Sequence, residues 1–470
     1  MMNFFDKNPQ YKNRPLFINA KGHTVTYADW YRHADTLRLL IPKRSLAVII
    51  CRNTIGSALS YLCCLQNRIV PLLIDHDMDA VLMKKLIDTY RPAYIFQPAS
   101  GEANHPVLYT LEDYVVWQRA EHSPELFPNL ALLLTTSGST GSPKLVRQSY
   151  ENIQSNAASI ADYLSLDAAQ RPVSTLPMHY TFGLSVINSH VLVGAAEYLT
   201  EDSLFDASFW ELCQTQHITS IAGVPFTYEC LKRLRFTTMN LPSLTLMIQA
   251  GGKLSKRLQK EYADFAAASH KRFIVMYGQT EATARMSYLP AEDCLKKIGS
   301  IGIAIPGGTF HIMEDAHTEI TTPNIPGELC YEGPNVTLGY AHCAEDLALG
   351  DERHGRLLTG DIAYVDEDGF YYITGRKKRF VKIMGKRVNM DEIEQLFKNT
   401  GTTDDFAATG HDDDLWVFTT APTAAISSLE DFLAKTTSLH PSCFTIRHID
   451  KIPKNSSGKT QYTALLELTT

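Results

Sequence analysis

Leu132-Leu-Leu-Thr-Thr-Ser-Gly-Ser-Thr-Gly-Ser-Pro-Lys-Leu-Val146 is the stretch on which the reading of this chain turns. An apolar run that stops at Gly138 and Gly141 predicts a buried strand entering a tight loop. Glycines let backbone N–H groups come close to a ligand. The hydroxyls of Thr136, Ser137, Ser139 and Thr140 add donors, and Lys144 adds a positive charge. A loop of this make-up is suited to holding phosphates. It is not the usual P-loop, which needs Gly-x4-Gly-Lys-Ser/Thr opening a helix. Here Pro143 precedes the lysine and Leu145-Val146 reads as extended chain. The competing reading is a Ser/Gly-rich surface linker, but linkers seldom sit directly on a triple-leucine strand.

Composition sets the outer bounds. At 470 residues the chain exceeds one hydrophobic core, so two or three subdomains are expected. Its 44% apolar and 20% charged residues are ordinary for a globular protein. The net charge of −7 supplies no basic footprint for nucleic acid. The nine cysteines show no C-x-x-C pair and no zinc spacing, as expected of reduced thiols in a cytoplasm. The N-terminal residues lack a signal-peptide pattern. No apolar run approaches the roughly 20 residues that span a bilayer. The expectation is therefore a cytoplasmic protein without an integral membrane segment.

Outward from the loop, strand and helix patterns alternate. Upstream, residues 1–30 read as irregular until Thr26-Tyr-Ala-Asp29 leads into a helix carrying Trp30, Ala34, Leu37 and Leu40. Strands at 46–50, 70–74 and 93–96, with helices between them, imply parallel pairing with helices on the faces. Residues 97–128 show no clear pattern. Downstream, Ser149 can cap a helix running to about Leu164. A short strand at 173–176 then leads into Pro177-Met-His-Tyr-Thr-Phe-Gly-Leu184. Three further strands end at Val224-Pro225-Phe226, at Ala250-Gly251-Gly252 and at Tyr277-Gly278-Gln-Thr280-Glu281. In open α/β sheets that edge is where ligands bind. Past residue 300 short strands and Gly/Pro turns predict a β-rich subdomain, with a hairpin across Asp368-Gly369. Gly375-Arg-Lys-Lys-Arg379 is a basic, glycine-led break, and the domain boundary is placed there. Beyond it, Asn389 with Glu392 gives a helix start resembling a capping box. A hairpin near 406–420 and a closing Pro453-Lys-Asn-Ser-Ser-Gly-Lys459 segment follow.

Thr136-Ser-Gly-Ser-Thr-Gly-Ser-Pro-Lys144 resembles the signature loop of the adenylate-forming superfamily, which holds acyl-CoA synthetases, aryl-CoA ligases, stand-alone adenylation enzymes and luciferases. The resemblance continues in order along nearly the whole chain. Tyr277–Glu281 resembles its Y-G-x-T-E segment, and Gly327-Glu-Leu329 through Gly339-Tyr340 its G-E-L…G-Y segment. Thr359-Gly-Asp361 matches T-G-D, and Gly375-Arg376 through Lys382 and Gly385 matches G-R-x-[DK]-x-x-I-K-x-x-G. Lys459 sits in a P-[KR]-x-x-x-G-K tail. One such motif is weak; six in sequence are highly specific.

The resemblance implies an α/β fold: a large N-terminal ATP- and acid-binding domain (1–375) of αβ-layered subdomains plus a β-rich subdomain, and a small mobile α+β C-terminal lid (376–470). It implies an ATP-dependent ligase that joins a small carboxylic acid to a thiol through an acyl-AMP, releasing pyrophosphate. ATP and Mg2+ are the implied cofactors, and CoA or the phosphopantetheine of an acyl carrier protein is the implied acceptor. Both reacting partners are anionic, so cations must offset their repulsion. By resemblance, Glu281 and the Thr140 hydroxyl hold the metal, Thr280 meets phosphate, and Tyr277 stacks on adenine beside Gly251-Gly252. Asp361 and Arg376 face the ribose, since a carboxylate accepts two O–H bonds. Lys459 is the implied catalytic lysine and Lys378 the hinge. Lys382 and Gly385 face the thiol tunnel after the lid rotates.

For the acid itself, Tyr180, Gly183, Val224, Pro225, Phe226, Met276 and Thr283 are the expected pocket residues. Tyr180 stands where many relatives carry His, which puts the gating role of that position in doubt; His179 beside it is an alternative base or a plain loop residue. Gly183 stands where amino-acid-activating members carry Asp, which argues against an α-amino acid. Three other readings stay open at this level: an amino-acid-activating enzyme, a P-loop phosphotransferase, and a nucleotide-binding module without turnover. A luciferase-like oxygenase shares the motifs.

Overall fold

Leu130–Thr135 and Leu145–Ser149 are neighbouring antiparallel strands, with Thr135 opposite Leu145 and Leu134 opposite Val146. The Ser/Gly stretch between them therefore joins two strands of one sheet rather than opening a helix. A computed structural model of the protein describes residues 3–99, 105–135, 144–377, 379–383, 386–411, 413–437, 439–455 and 458–469. Thr136, Ser137, Gly138, Ser139, Thr140 and Gly141, like Lys378 and Gly385, lie outside the described residues.

The chain forms two compact units. The first comprises Met1–Ile298, Gly302–Thr309 and Glu332–Leu357; the second comprises Gly299–Ile301, Phe310–Tyr331 and Leu358–Thr470. The four-stranded sheet that lies before residue 375 in the sequence thus clusters with the residues after it.

Two sheets build the first unit. In the eight-stranded sheet, Leu130–Thr135 runs parallel to Val70–Asp75, which is parallel to Leu46–Cys51, which is parallel to Tyr94–Pro98. These are the parallel strands expected from the alternation of apolar runs and helices. The helix Ile55–Gln66 between two of them is buried nearly throughout, so its sequence is apolar on every side rather than striped. In the nine-stranded sheet, Ser220–Gly223, Leu246–Gln249 and Arg272–Tyr277 lie side by side and parallel. Gly223, Gln249 and Val275 share one level, so all three strands end at the same edge. A shared core joins the sheets, running from Phe17 and Leu199 to Ile49, Leu73 and Leu132.

Local chemistry accounts for the helix starts. Thr26 and Asp29 cap the helix Tyr27–Leu40 reciprocally, and Ser149 and Asn152 do the same for Tyr150–Tyr163. Asn389 caps Met390–Lys398 through the Asp391 N–H, and Glu392 accepts from the Asn389 side chain at 3.4 Å, so the expected reciprocal box is only half made.

Two segments differ from expectation. The N-terminal region is not irregular: Pro15–Asn19 pairs with Thr24–Thr26 and with Glu197–Leu199. The unpatterned 97–128 region holds a hairpin, Val107–Leu111 with Tyr114–Gln118, at the edge of the eight-stranded sheet. Its first strand is only partly buried, so no apolar alternation marks it.

In the second unit, Thr309–Met313, Gly327–Glu332, Arg356–Val365 and Tyr371–Arg376 form the four-stranded sheet. The expected hairpin is present, with Ala363 opposite Ile373 and Asp361 opposite Arg376. The C-terminal portion adds Phe406–His411, Asp414–Thr419 and Phe444–His448, packed on the helices Met390–Lys398 and Ile426–Thr437. Among the described residues no helix is long and apolar enough to cross a membrane.

Candidate active site

The ends of the three parallel strands meet. A Cβ added to Gly251 would lie 2.9 Å from Val224 Cγ1 and 3.4 Å from the Tyr180 hydroxyl, and one added to Gly252 would lie 3.1 Å from Pro225. Gly251 also has φ of +80°, where a side chain is strained. The structure therefore brings Tyr180, Val224, Pro225, Gly251 and Gly252 together. Val224 and Met276 are buried in one cluster with Phe182, with Tyr163 and Tyr180 packed against it. Phe226 directly follows Pro225 in the helix Pro225–Arg233 and is about half exposed.

Tyr277–Glu281 leaves the third strand in a sharp turn. A Cβ on Gly278 would sit 1.8 Å from the Ala284 carbonyl oxygen, so only glycine lets the chain fold back there. Thr283 completes the turn with φ +63° and ψ −65°, and the Ala284 N–H donates to the Ala282 carbonyl across it at 2.7 Å. This is the strained, positive-φ form of the γ-turn, held at a β-branched residue. Two contacts fix it: the Thr283 hydroxyl donates to the Asn335 carbonyl at 2.7 Å, and the Thr181 hydroxyl donates to the Thr283 carbonyl.

Glu281 is held from three sides. Its carbonyl accepts from the Thr337 N–H at 3.0 Å, the Thr337 hydroxyl at 2.9 Å and Arg353 Nη1 at 3.2 Å. Its Oε1 accepts from the Tyr340 phenol at 2.7 Å. Burial and the Glu281 charge push the Tyr340 phenol well above its ordinary pKa, so it stays a donor. Lys144, at the end of the Ser/Gly loop, places Nζ 3.2 Å from the Tyr340 ring centroid, and Arg353 stacks on that ring at 4.6 Å. Gln148 donates to the Thr280 carbonyl at 3.5 Å. The base of the loop, Thr280 and Glu281 are thus one assembly. Oε2 of Glu281 has no protein hydrogen bond among the described residues, so this oxygen could take a divalent cation. Sequence reasoning quoted Tyr340 within a motif without giving it a task, and passed over Thr337 and Arg353.

Gly183 is different in kind. A Cβ there would lie 2.4 Å from the Pro177 carbonyl oxygen and 2.9 Å from that of Leu176. The position faces backbone, and no side chain of any size fits it. His179 Nε2 lies 3.5 Å from Asp75 Oδ2. Burial holds its pKa below the usual imidazole value against the pull of Asp75 and Asp77.

In the second unit, Arg376 Nε stands 3.3 Å from Asp361 Oδ1 across the hairpin, with the Asp361 side chain buried and Arg376 exposed. The Asp361 N–H donates to Thr359 Oγ1, whose hydroxyl bonds the Leu329 carbonyl. Lys459 closes a turn with Asn455: its N–H donates to Asn455 Oδ1 at 2.9 Å and its carbonyl accepts from the Asn455 N–H at 2.9 Å. Gly458 takes φ of +75° to make that turn. Lys382 falls in the strand Phe380–Ile383.

Residues 4–341 match the AMP-binding enzyme family. The chain belongs to the AMP-binding enzyme family. Within it, the chain is of the adenylate-forming acyl-CoA synthetase type. It is 28% identical over 359 residues to a 2-succinylbenzoate–CoA ligase of Geobacillus sp. (strain WCH70), covering 74% of this chain and 70% of that one. It is 30% identical over 344 residues to a 2-succinylbenzoate–CoA ligase of Bacillus pumilus (strain SAFR-032), covering 70% and 67%. In fold it resembles o-succinylbenzoate CoA synthetase (MenE) of Bacillus subtilis, solved with the acyl-adenylate intermediate OSB-AMP. The TM-score is 0.79 at 20% identity, over 99% and 98% of the two chains. ATP-bound MatB from Rhodopseudomonas palustris matches with a TM-score of 0.76 at 20% identity, over 98% and 97%.

Proposed function

We propose that this AMP-binding enzyme is an ATP-dependent acid:CoA ligase. It joins the carboxylate of a small acid to the α-phosphorus of ATP, releases pyrophosphate, and passes the acyl group from AMP to the thiol of CoA. A carrier-protein phosphopantetheine is the second acceptor in this reading, and the cytoplasm its compartment.

The observation that carries the proposal is the held carboxylate of Glu281. Tyr340 orients it, Thr337 and Arg353 hold the Glu281 backbone carbonyl, and the residue lies beside the base of the Ser/Gly loop through Lys144. Magnesium bound at Glu281, with Thr140, would offset phosphate charge. Lys144 supplies positive charge at the loop, Tyr277 and Gly251-Gly252 receive the adenine, and Thr280 meets phosphate. Asp361 and Arg376 take the ribose. Lys459 binds the carboxylate and α-phosphate for the first half-reaction. Lys378 is the hinge of a lid running from residue 376, and Lys382 and Gly385 line the thiol path in the second half-reaction.

The amino-acid reading is weakened from within the site. The backbone at Pro177 excludes an aspartate from position 183, so the carboxylate that would pair an ammonium cannot stand there. The test is pyrophosphate release with a panel of fatty, hydroxy, aryl, keto and amino acids, headed by 2-succinylbenzoate, with and without CoA. Release with one class, raised by CoA, is the expected result. ADP as product, or nucleotide binding without acid-dependent turnover, would reject it.

A further inference from the structure

Arg147 is fully buried, in the strand Leu145–Ser149 that Lys144 immediately precedes. An arginine is seldom taken wholly out of water unless its charge and its donors are met. All three guanidinium nitrogens of Arg147 are engaged, and all by residues 338–352. Nε donates to the Tyr340 carbonyl at 3.0 Å. Nη1 donates to the Leu349 carbonyl and, at 3.1 Å, to the Gly350 carbonyl. Nη2 donates to the Leu338 carbonyl at 3.4 Å and to the Glu352 carboxylate at 2.5 Å. The Glu352 side chain is about half exposed, so the pair joins a buried cation to a carboxylate at the surface. A Cβ on Gly339 would collide with Glu352 Oε2 and Arg147 Nη2, so the ion pair passes directly over that glycine. Gly339 opens the strand Gly339–Ala341, which pairs antiparallel with Leu145–Ser149 at the edge of the eight-stranded sheet.

The residues that Arg147 holds are the neighbours of those that hold Glu281. Leu338 follows Thr337, whose N–H and hydroxyl both donate to the Glu281 carbonyl. Tyr340 gives its carbonyl to Arg147 and its phenol to the Glu281 carboxylate. Glu352 precedes Arg353, which donates to the Glu281 carbonyl and stacks on the Tyr340 ring. The Glu352 N–H also donates to the Leu338 carbonyl at 2.8 Å, which closes the segment on itself around the guanidinium. On its own strand Arg147 stands between Lys144, whose Nζ lies on the Tyr340 ring, and Gln148, which donates to the Thr280 carbonyl. One guanidinium thus ties the segment carrying all three supports of Glu281 to the strand that leaves the Ser/Gly loop.

We propose that Arg147 is a positioning residue: through the Tyr340 backbone and the pair with Glu352, it sets the Glu281 carboxylate at a fixed place relative to the Ser/Gly loop. This rests on the ligase reading of the same site, in which carboxylate and loop share the magnesium and phosphates of ATP. The position needs a guanidinium, whose rigid fork presents five donors in one plane. A lysine brings the charge as a single point and cannot meet carbonyls on both sides of the segment.

The test measures two quantities beside the melting temperature: the magnesium concentration that half-saturates pyrophosphate release with the acid panel, and the affinity for ATP by calorimetric titration with and without magnesium. In Arg147→Lys the half-saturating magnesium should rise about 10-fold, as for the loss of a hydrogen bond to a charged group. The gain in ATP affinity that magnesium brings should shrink by a similar factor, with the KM for the acid unchanged. Glu352→Gln keeps an acceptor and loses the charge, so it should shift both readings the same way by about 3-fold. Because Arg147 acts through Tyr340, the double variant Arg147→Lys/Tyr340→Phe should lose less than the product of the two single losses. A lower melting temperature with unchanged magnesium dependence marks a merely structural arginine and overturns the proposal, and so do single losses that multiply. If Arg147→Lys does not fold, Glu352→Gln, alone and with Tyr340→Phe, decides by the same criteria. Should no acid support turnover, the ligase reading falls, and the magnesium-dependent part of ATP binding decides the arginine. A reduction in both variants supports the proposal; equal binding, or no such binding in the wild type, overturns it.

Discussion

The Tyr340 phenol donates a 2.7 Å hydrogen bond to the Glu281 carboxylate, and the same ring carries Lys144 on its face. One side chain thereby orients the proposed metal-binding carboxylate and seats the lysine of the phosphate loop. The two tasks separate by substitution. Tyr340→Phe keeps the ring and removes the donor, so kcat/KM for ATP should fall about 10-fold, as for one hydrogen bond to a charged group. Tyr340→Ala should fall further because Lys144 and Arg353 lose their stacking surface. Pyrophosphate release at varied magnesium reads both, and a Phe variant equal to wild type would show that the hydroxyl has no part in holding Glu281.

Gly278 and Gly307 separate packing from backbone strain. A methyl on Gly278 would lie 1.8 Å from the Ala284 oxygen, whereas one on Gly307, at φ +85°, meets nothing within 4 Å. Gly307→Ala should cost about 1 kcal/mol, the ordinary penalty of a left-handed alanine. Gly278→Ala should cost about 3 kcal/mol or more by overpacking and should also displace Thr280 and Glu281. Thermal melting of both variants, with activity measured beside it, checks the contrast. Equal melting temperatures would mean that the Tyr277–Glu281 turn relaxes freely.

What the sequence could show follows from the range of the interactions involved. Strands ending at Gly223, Gln249 and Tyr277 were readable because apolar runs and their Gly or Pro stops are local, and so were the Thr26 and Ser149 caps. The Val107–Gln118 hairpin was not, since its strands are short and partly exposed. Nor was the support of Glu281: Tyr340 lies 59 residues away and Arg353 lies 72 away, and no spacing rule joins them.

Lys459 is positioned by its backbone through Asn455, with Gly458 making the turn. Lys459→Ala should therefore leave the fold intact and abolish adenylation by removing the charge alone. Thioester formation from supplied acyl-AMP and CoA should survive. Measured separately, the two half-reactions decide the role: equal loss in both would remove Lys459 from the adenylation step. Asn455→Ala should lower adenylation less, by loosening the turn.

Glu197 gives the stability of the chain a pH dependence of known sign. It is fully buried in the strand Glu197–Leu199, and among the described residues its Oε2 has no hydrogen-bond partner. Burial raises its pKa from 4.5 to about 8. Between those values the folded chain keeps a proton that the unfolded chain has released. Stability is therefore undiminished below about pH 4.5, falls as pH rises towards 8, and levels off above it. The span corresponds to on the order of 5 kcal/mol. Glu197→Gln, which stays neutral at every pH, should match the wild type near pH 5 and exceed its melting temperature at pH 8.5. Parallel melting curves for the two proteins across this range would show that Glu197 is charged in the folded state after all.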